Sequence, residues 1–383
     1  MKTLSTLLPT HCGKNINTTC KVILAYLKRS QDFKPGEYYG SFWSEKAYHG
    51  PLLDYHAGGS HHHRSAGSAG LALWEIGKTW QDDDLMHRAE WAFDWLTARQ
   101  RPGGGYWEIQ NNEKPSDWER TGLEECSTIE TAFVVHGLGN ALQRGLPPKK
   151  AYLDCLQKAA HWQLSLEWPA GSGVFPHHER SPYDTLNANL HAAETMVTTF
   201  IVLKRLGDRP VNLFYQGARR SVLHTLELQW PNGCFPYGRD SGSTINYTAL
   251  VLWCLLNILD ILPAPFHADF APSKKVRDAL QKAAGFLRKC VNPQGRMRWE
   301  SNETSTAKHN LWTYLITFNV LMRIGGNANR ETALRLLKYV FSLKTSSGLL
   351  PMRDRGEPIT DCAYMQADIL LFLLSFADLT RKD

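Results

Sequence analysis

No Cys-x-x-Cys pair occurs anywhere in the sequence, and its eight cysteines are scattered without paired spacing. That usage excludes a small disulfide-stapled fold and suits reduced thiols in the cytoplasm. An apolar leader followed by a small-residue cleavage site is also missing from Met1 to Arg29. The expectation is therefore a cytoplasmic protein rather than a secreted one. No apolar run is long enough to span a membrane: the most apolar stretch, Tyr247 to Phe266, is broken by Asn257, Asp260 and two prolines, and reads as a buried helix. Charge is close to balanced, at +6 over 383 residues, which gives no argument for a nucleic-acid partner. Neither a phosphate-cradling glycine loop nor a nucleotide motif is present, so no organic cofactor is expected. Nor does any stretch alternate apolar and polar residues long enough to suggest a sheet.

What is present is the composition of a folded chain, 43% apolar and 21% charged, with ample length to bury a large core. Of the thirteen tryptophans most are expected to be packing residues, but aromatics outside a core often line sugar or hydrophobic-ligand sites. A weak motif recurs: an amphipathic helix, a short turn with Gly, then an aromatic or apolar pair. It reads Gly40-Ser41-Phe42-Trp43, Gly105-Tyr106-Trp107, Gly173-Val174-Phe175-Pro176, Gly233-Cys234-Phe235-Pro236, Gly295-Arg296-Met297-Arg298-Trp299 and Gly348-Leu349-Leu350-Pro351. The glycines are 65, 68, 60, 62 and 53 residues apart. A period of about 60 residues fits one unit of two helices with two loops.

The two helices of each unit differ in charge. Lys274, Lys275, Arg277, Asp278, Lys282, Arg288 and Lys289 crowd the stretch from Ser273 to Cys290, whereas Ser243 to Leu259 carries no Lys, Arg, Asp or Glu. A helix apolar all round must be buried on every side, while a one-sided helix faces water. The pattern predicts outer helices near 16–31, 81–99, 148–166, 211–229, 273–290 and 330–344, and inner helices near 61–78, 125–143, 187–206, 244–260, 307–324 and 361–378. Six of each close a ring. The fold class expected is all-α, an (α/α)6 toroid of six helical hairpins occupying 1–383 as a single domain, with no convincing boundary inside it.

The segment Ala92 to Trp107, AFDWLTARQRPGGGYW, resembles the helix-then-Gln-then-Gly-aromatic signature of α/α toroids. That group includes six-hairpin glycosidases, (α/α) polysaccharide lyases and uronate epimerases, and more remotely terpenoid cyclase- and prenyltransferase-like toroids. The resemblance spans nearly the whole chain at the level of fold, and its motif is structural, since Gly turns the chain and the aromatic plugs between hairpins. It implies that the loops after each Gly gather at one mouth, above the N-termini of the inner helices. Fold alone does not select a function.

Polar residues concentrate at that mouth. Ser127, Thr128, Asn187, Thr244 and Asp361 stand where N-caps belong. Glu130, Glu194 and Asp368 lie inside otherwise apolar helices, where a carboxylate is costly unless paired or facing water. Consecutive helical residues point about 100° apart, so His61-His62-His63 cannot converge on one ion, and no metal is expected; a histidine of this run fits better as an acid, base or sugar contact. Asp82-Asp83-Asp84 opens an outer helix, where acids favour the N-terminal dipole. The zinc ligand sets of protein prenyltransferases and of lanthionine cyclases are absent.

Arginines in the mouth loops suit a carboxylate or other anion. The reading is therefore an enzyme acting on an anionic, uronate-containing saccharide. For hydrolysis, Glu125 or Glu130 with Asp361 or Glu194 would serve as acid and base. For elimination or C5 epimerisation, His191, His309, Tyr247 or Tyr314 would transfer the proton. Arg64, Arg239 and Arg353 would hold the substrate carboxylate, with His61, Trp107 and Asn189 as further contacts. The alternatives are a terpenoid-cyclase-like toroid with an apolar pocket, or a non-catalytic toroid binding a glycan or a protein.

Overall fold

The structure is a computed structural model that describes residues 8–44, 60–107, 110–111, 125–179, 181, 183–207, 212–238, 244–263, 267, 270–298, 309–356 and 358–379. Twelve α-helices stand out among the described residues: α1 (Thr10–Ser30), α2 (His63–Trp80), α3 (Asp83–Arg99), α4 (Thr128–Gln143), α5 (Lys150–Ser165), α6 (Leu186–Arg205), α7 (Asn212–Glu227), α8 (Ile245–Ile261), α9 (Ser273–Lys289), α10 (Leu311–Ile324), α11 (Asn327–Ser342) and α12 (Ala363–Leu374). All twelve fall where the charge pattern puts a helix, the largest difference being an α1 that begins more than a turn before the expected 16. The strands are two residues each: β1 (Trp43–Ser44), β2 (Ser60–His61) and β4 (Gln110–Asn111) pair antiparallel in the order β1-β2-β4, and β3 (Tyr106–Trp107) pairs with β5 (Cys126–Ser127).

Burial separates the helices into the two expected classes. In α6 every residue from Leu186 to Leu203 is buried, whereas α9 buries only Val276, Ala279, Ala283, Ala284 and Leu287, one face of a water-facing helix. The even-numbered helices pack on one another in sequence, α2–α4–α6–α8–α10–α12, and α12 packs back on α2. The odd-numbered helices surround them, and Lys28 on α1 reaches Asp84 on α3 at 2.9 Å. The result is an inner ring of six helices within an outer ring of six.

The repeat motif supplies the joints. Gly40, Gly104, Gly173, Gly233, Gly295 and Gly348 all have φ between +79° and +107°, a region costly for side chains with a Cβ. A Cβ on the first five would press into a main-chain carbonyl of the next outer helix, at Trp91, Lys158, Arg220, Lys282 and Arg335. On Gly348 it would meet Val22 of α1, where the ring closes. At the second joint the turning glycine is thus Gly104, one residue before the expected Gly105. Gln31, Gln100 and Gln229 brace three joints, each donating through Nε2 both to the glycine carbonyl and to a carbonyl of the next outer helix.

The fourth residue of each of four inner helices holds the same loop from inside. Thr131, Asn189, Thr248 and Tyr314 accept the backbone N–H of Tyr106, Phe175, Phe235 and Met297, at 3.0, 2.7, 3.0 and 3.3 Å. The first free N–H of an inner helix is taken by the loop of the following hairpin: Thr128 donates to His177 O, Leu186 to Tyr237 O and Leu311 to Met352 O. The last inner helix repeats this across the ring, Ala363 N donating to Ser44 Oγ at 2.9 Å. Two of the expected caps act as such, Ser127 on α4 and Thr244 on α8. Asp82 caps α3 with Asp83 and Asp84 in its first turn, the structural role expected of that run.

Candidate functional site

The three consecutive histidines diverge. His61 stacks on Tyr38 at 4.2 Å with its Nδ1 2.6 Å from Ser41 Oγ, His62 stacks on Tyr364, and His63 lies between Trp95 and Tyr106 with Nδ1 donating to Trp107 O at 3.2 Å. Burial lowers both His61 and His63 to about 4, so each is a neutral ring at ordinary pH. The next residue, Arg64, turns inward to the axis.

Arg64 is buried and touches three other inner helices. Its guanidinium lies over Phe133 of α4 at 3.5 Å, over Tyr364 of α12 at 4.6 Å and near Trp312 of α10 at 5.4 Å. NH1 donates to Tyr364 Oη at 2.6 Å, and NH2 pairs with Asp368 at 2.7 Å. Ser68 donates to the other Asp368 oxygen, and Glu130 accepts the Arg64 backbone N–H at 3.0 Å. Burial opposes the arginine's charge, but Asp368, Tyr364 and Glu130 more than offset it, so the guanidinium is held firmly charged. Polar atoms of this layer remain without partners: Arg64 Nε, Trp312 Nε1 and Asn187 Oδ1 are all shielded from water. Orphaned buried donors and acceptors are rare in folded chains.

Deeper along the same helices lies a second polar layer. His136 Nδ1 is 2.5 Å from Glu194 Oε1, which also accepts from Asn257 Nδ2 at 3.1 Å. Arg323 continues the chain outward, donating to Asn257 Oδ1 and to Asp260. His191 packs against Phe133 and Cys254; burial holds it well below the usual imidazole range, and Arg64, His136 and His177 push the same way.

The structure distributes the predicted site residues unevenly. Arg64 and Glu130 share the upper layer, and His191 and Glu194 the lower one. Asn189, expected to contact substrate, is engaged in the frame: its Oδ1 accepts from Phe175 N and its Nδ2 donates to Asp184. Tyr314, expected to transfer a proton, also braces a joint: its hydroxyl accepts from Met297 N and donates to Asp354, and its ring stacks on Tyr339. Asp361 accepts the Tyr26 hydroxyl at 2.6 Å, fastening α1 to the loop before α12. The His309 backbone donates to Asp354 and the Arg353 main chain pairs with that of Asn310, while the Tyr247 ring packs tilted against Tyr237 at 4.3 Å. Trp107 lies under the Arg101 guanidinium at 4.1 Å. Glu125 is buried immediately before β5. Arg239 lies outside the described residues.

Four contributors were not singled out as site residues: Tyr364, Trp312, His136 and Cys254. Only His136 carries a local sign, as a lone titratable group in the apolar run Phe133 to Leu142.

No protein family's sequence profile matches the chain, and no curated protein sequence matches it. Solved structures do. A cellobiose 2-epimerase from Bacillus thermoamylovorans superposes with a TM-score of 0.72 at 13% identity, covering 95% of this chain and 99% of that one. A D-mannose isomerase gives 0.69 at 13% identity over 96% and 99%. An unsaturated glucuronyl hydrolase specific for heparin gives 0.66 at 12% identity over 95% and 97%. The chain shares their fold. The resemblance to α/α toroids therefore holds in three dimensions over nearly the whole chain, although few residues are shared. Among the described residues no helix is long and apolar enough to cross a membrane.

Proposed function

We propose that the protein is an enzyme that transfers a proton at a carbon of a sugar bound on the axis, beside Arg64, Tyr364 and Trp312. The observation that carries this reading is the set of unpartnered buried atoms Arg64 Nε, Trp312 Nε1 and Asn187 Oδ1, on inner helices that also bring the rings of Phe133 and Trp312 to Arg64 and stack Trp253 on Phe133. A sugar offers hydroxyls to such donors and acceptors and C–H faces to such rings. The neighbours in fold, an epimerase, an isomerase and a hydrolase named for carbohydrate substrates, support the substrate class.

Proton transfer is favoured over two-carboxylate hydrolysis because acids expected for hydrolysis hold other partners: Glu130 the Arg64 amide, Glu194 His136 and Asn257, Asp361 Tyr26. Tyr364, whose hydroxyl accepts from Arg64 at 2.6 Å, would serve as the acid, and His62 stacked on it as the companion base. Arg64 would stabilise the oxyanion that develops when the adjacent C–H is broken. Because Asp368 offsets the Arg64 charge, the axial site itself suits a neutral sugar; a uronate carboxylate would be met by Arg353.

The test is incubation with reducing mono- and disaccharides and with uronate oligosaccharides in D2O, followed by proton NMR. Loss of one sugar C–H signal, abolished in Tyr364→Phe, supports the reading. New reducing ends without exchange would replace it by hydrolysis, and no reaction with any sugar would overturn it.

A further inference from the structure

The deeper layer has a use that the saccharide reading does not supply. His191 and Glu194 stand one turn apart on α6 and so project from the same face, and Cys254 reaches them from the neighbouring α8. His191 Nδ1 is 3.4 Å from Cys254 Sγ, and one ligand atom from each of the three side chains lies within 4.8 Å of the other two. All three are at most 1% exposed. Glu194 Oε1 has two partners, but Oε2 has none, and a buried carboxylate oxygen left bare is expensive. Among the described residues no other group of three such side chains converges.

We propose that His191, Glu194 and Cys254 form a binding site for a zinc-type divalent cation, through an imidazole nitrogen, Glu194 Oε2 and the Cys254 thiolate. A tetrahedral ion with bonds of roughly 2.0–2.3 Å separates its ligands by about 3.3–3.8 Å, so the three side chains need only close by rotamer adjustment. The donor set selects the metal: nitrogen with sulfur suits zinc and its neighbours, whereas magnesium and calcium call for oxygen. Binding releases the thiol proton to solvent, and the thiolate, the carboxylate and the dication then sum to zero charge, which suits a dry interior. His136 and Asn257, on the other oxygen of Glu194, would fix that carboxylate as outer-shell partners fix ligands in metal sites. Three protein ligands leave a fourth position for water or a ligand atom. This site goes beyond the saccharide reading and stands without it.

The experiment is metal analysis of the protein purified without chelators, followed by titration of the metal-free protein with Co2+. The site predicts one equivalent of retained metal or of bound cobalt, with a thiolate-to-cobalt charge-transfer band in the near ultraviolet and intense tetrahedral bands in the visible. Cys254→Ser loses the charge-transfer band, Glu194→Gln weakens cobalt binding by more than tenfold, and His136→Ala by about 10–100-fold. Should Cys254→Ser fail to fold, the wild-type cobalt spectrum decides, since among the described residues no other cysteine lies in such a cluster. A folded wild type that retains no metal and gives no thiolate–cobalt band would overturn the proposal, as would a band that survives Cys254→Ser.

Discussion

Replacing Arg64 by leucine would leave the Asp368 carboxylate in a dry interior with only Ser68 to bond to. The pair is 2.7 Å apart, its side chains are 5% and 0% exposed, and the guanidinium also covers Phe133. Removing one partner of such a pair typically costs about 3–5 kcal/mol, because the remaining charge is buried alone. At an unfolding entropy scaled to this chain length, about 4 kcal/mol lowers the melting temperature by roughly 5 °C. Asp368→Leu should cost a similar amount by stranding the guanidinium. The double variant Arg64→Leu/Asp368→Leu should recover most of the loss, since two apolar groups often replace a buried pair at little net cost. Denaturant unfolding of the four proteins, followed by circular dichroism, gives the coupling energy. About 3 kcal/mol or more is expected. Single variants that each cost under about 1 kcal/mol, or a double variant equal to the sum of the singles, would refute the reading of this pair as the axial tie between α2 and α12.

Other perturbations test the frame around it. His63 has a folded pKa lowered to about 4 by burial, below its unfolded value, so the unfolded chain takes the proton first and stability falls as pH drops from about 6.5 to 4. The loss is at most about 3 kcal/mol; in His63→Phe the pH dependence of unfolding should flatten over that window, and parallel curves would show that the ring is not held neutral. Gly233→Ala forces a side chain to φ +94° against the Lys282 carbonyl, whereas Gly207→Ala has φ +77° and open space. The first should cost about 2–4 kcal/mol and the second about 1 by chemical denaturation, and equal costs would mean that the joint is not close-packed. Asn189→Ala leaves the Phe175 N–H unpaired and should cost about 1–3 kcal/mol; an unchanged midpoint would show that the frame does not depend on it.

The fold was legible because its two helix classes differ in charge, and because the joints need a residue that tolerates positive φ. The stretch without a charge, Ser243 to Leu259, contains most of α8, whose residues from Ile245 to Ile258 are buried except the half-buried Tyr247. The slip at the second joint has a simple cause: Gly103, Gly104 and Gly105 are consecutive, and only the approach of the chain to Lys158 decides which one turns. The site was less legible because its contacts are set by ring closure. Arg64 meets Tyr364 across 300 positions of sequence, and nothing local to either residue announces the pairing. Asn189 and Tyr314 looked chemical because polar groups at the entry of buried helices are otherwise wasteful; the frame itself uses them, at the same fourth position as Thr131 and Thr248. His191 and Glu194 were legible as out of place in an apolar helix, but their third neighbour, Cys254, looked like packing.

The central claim is that a sugar binds on the axis beside Arg64, and the indole of Trp312 reports on it directly, since its Nε1–H is buried and without a partner. In protein carrying 15N-tryptophan, with the Trp312 resonance assigned by Trp312→Phe, titration with reducing sugars should shift the Trp312 indole signal saturably, and Arg64→Leu should abolish the shift. Binding that leaves Trp312 unmoved while shifting only peripheral indoles such as Trp107, or no shift with any saccharide, would contradict the account.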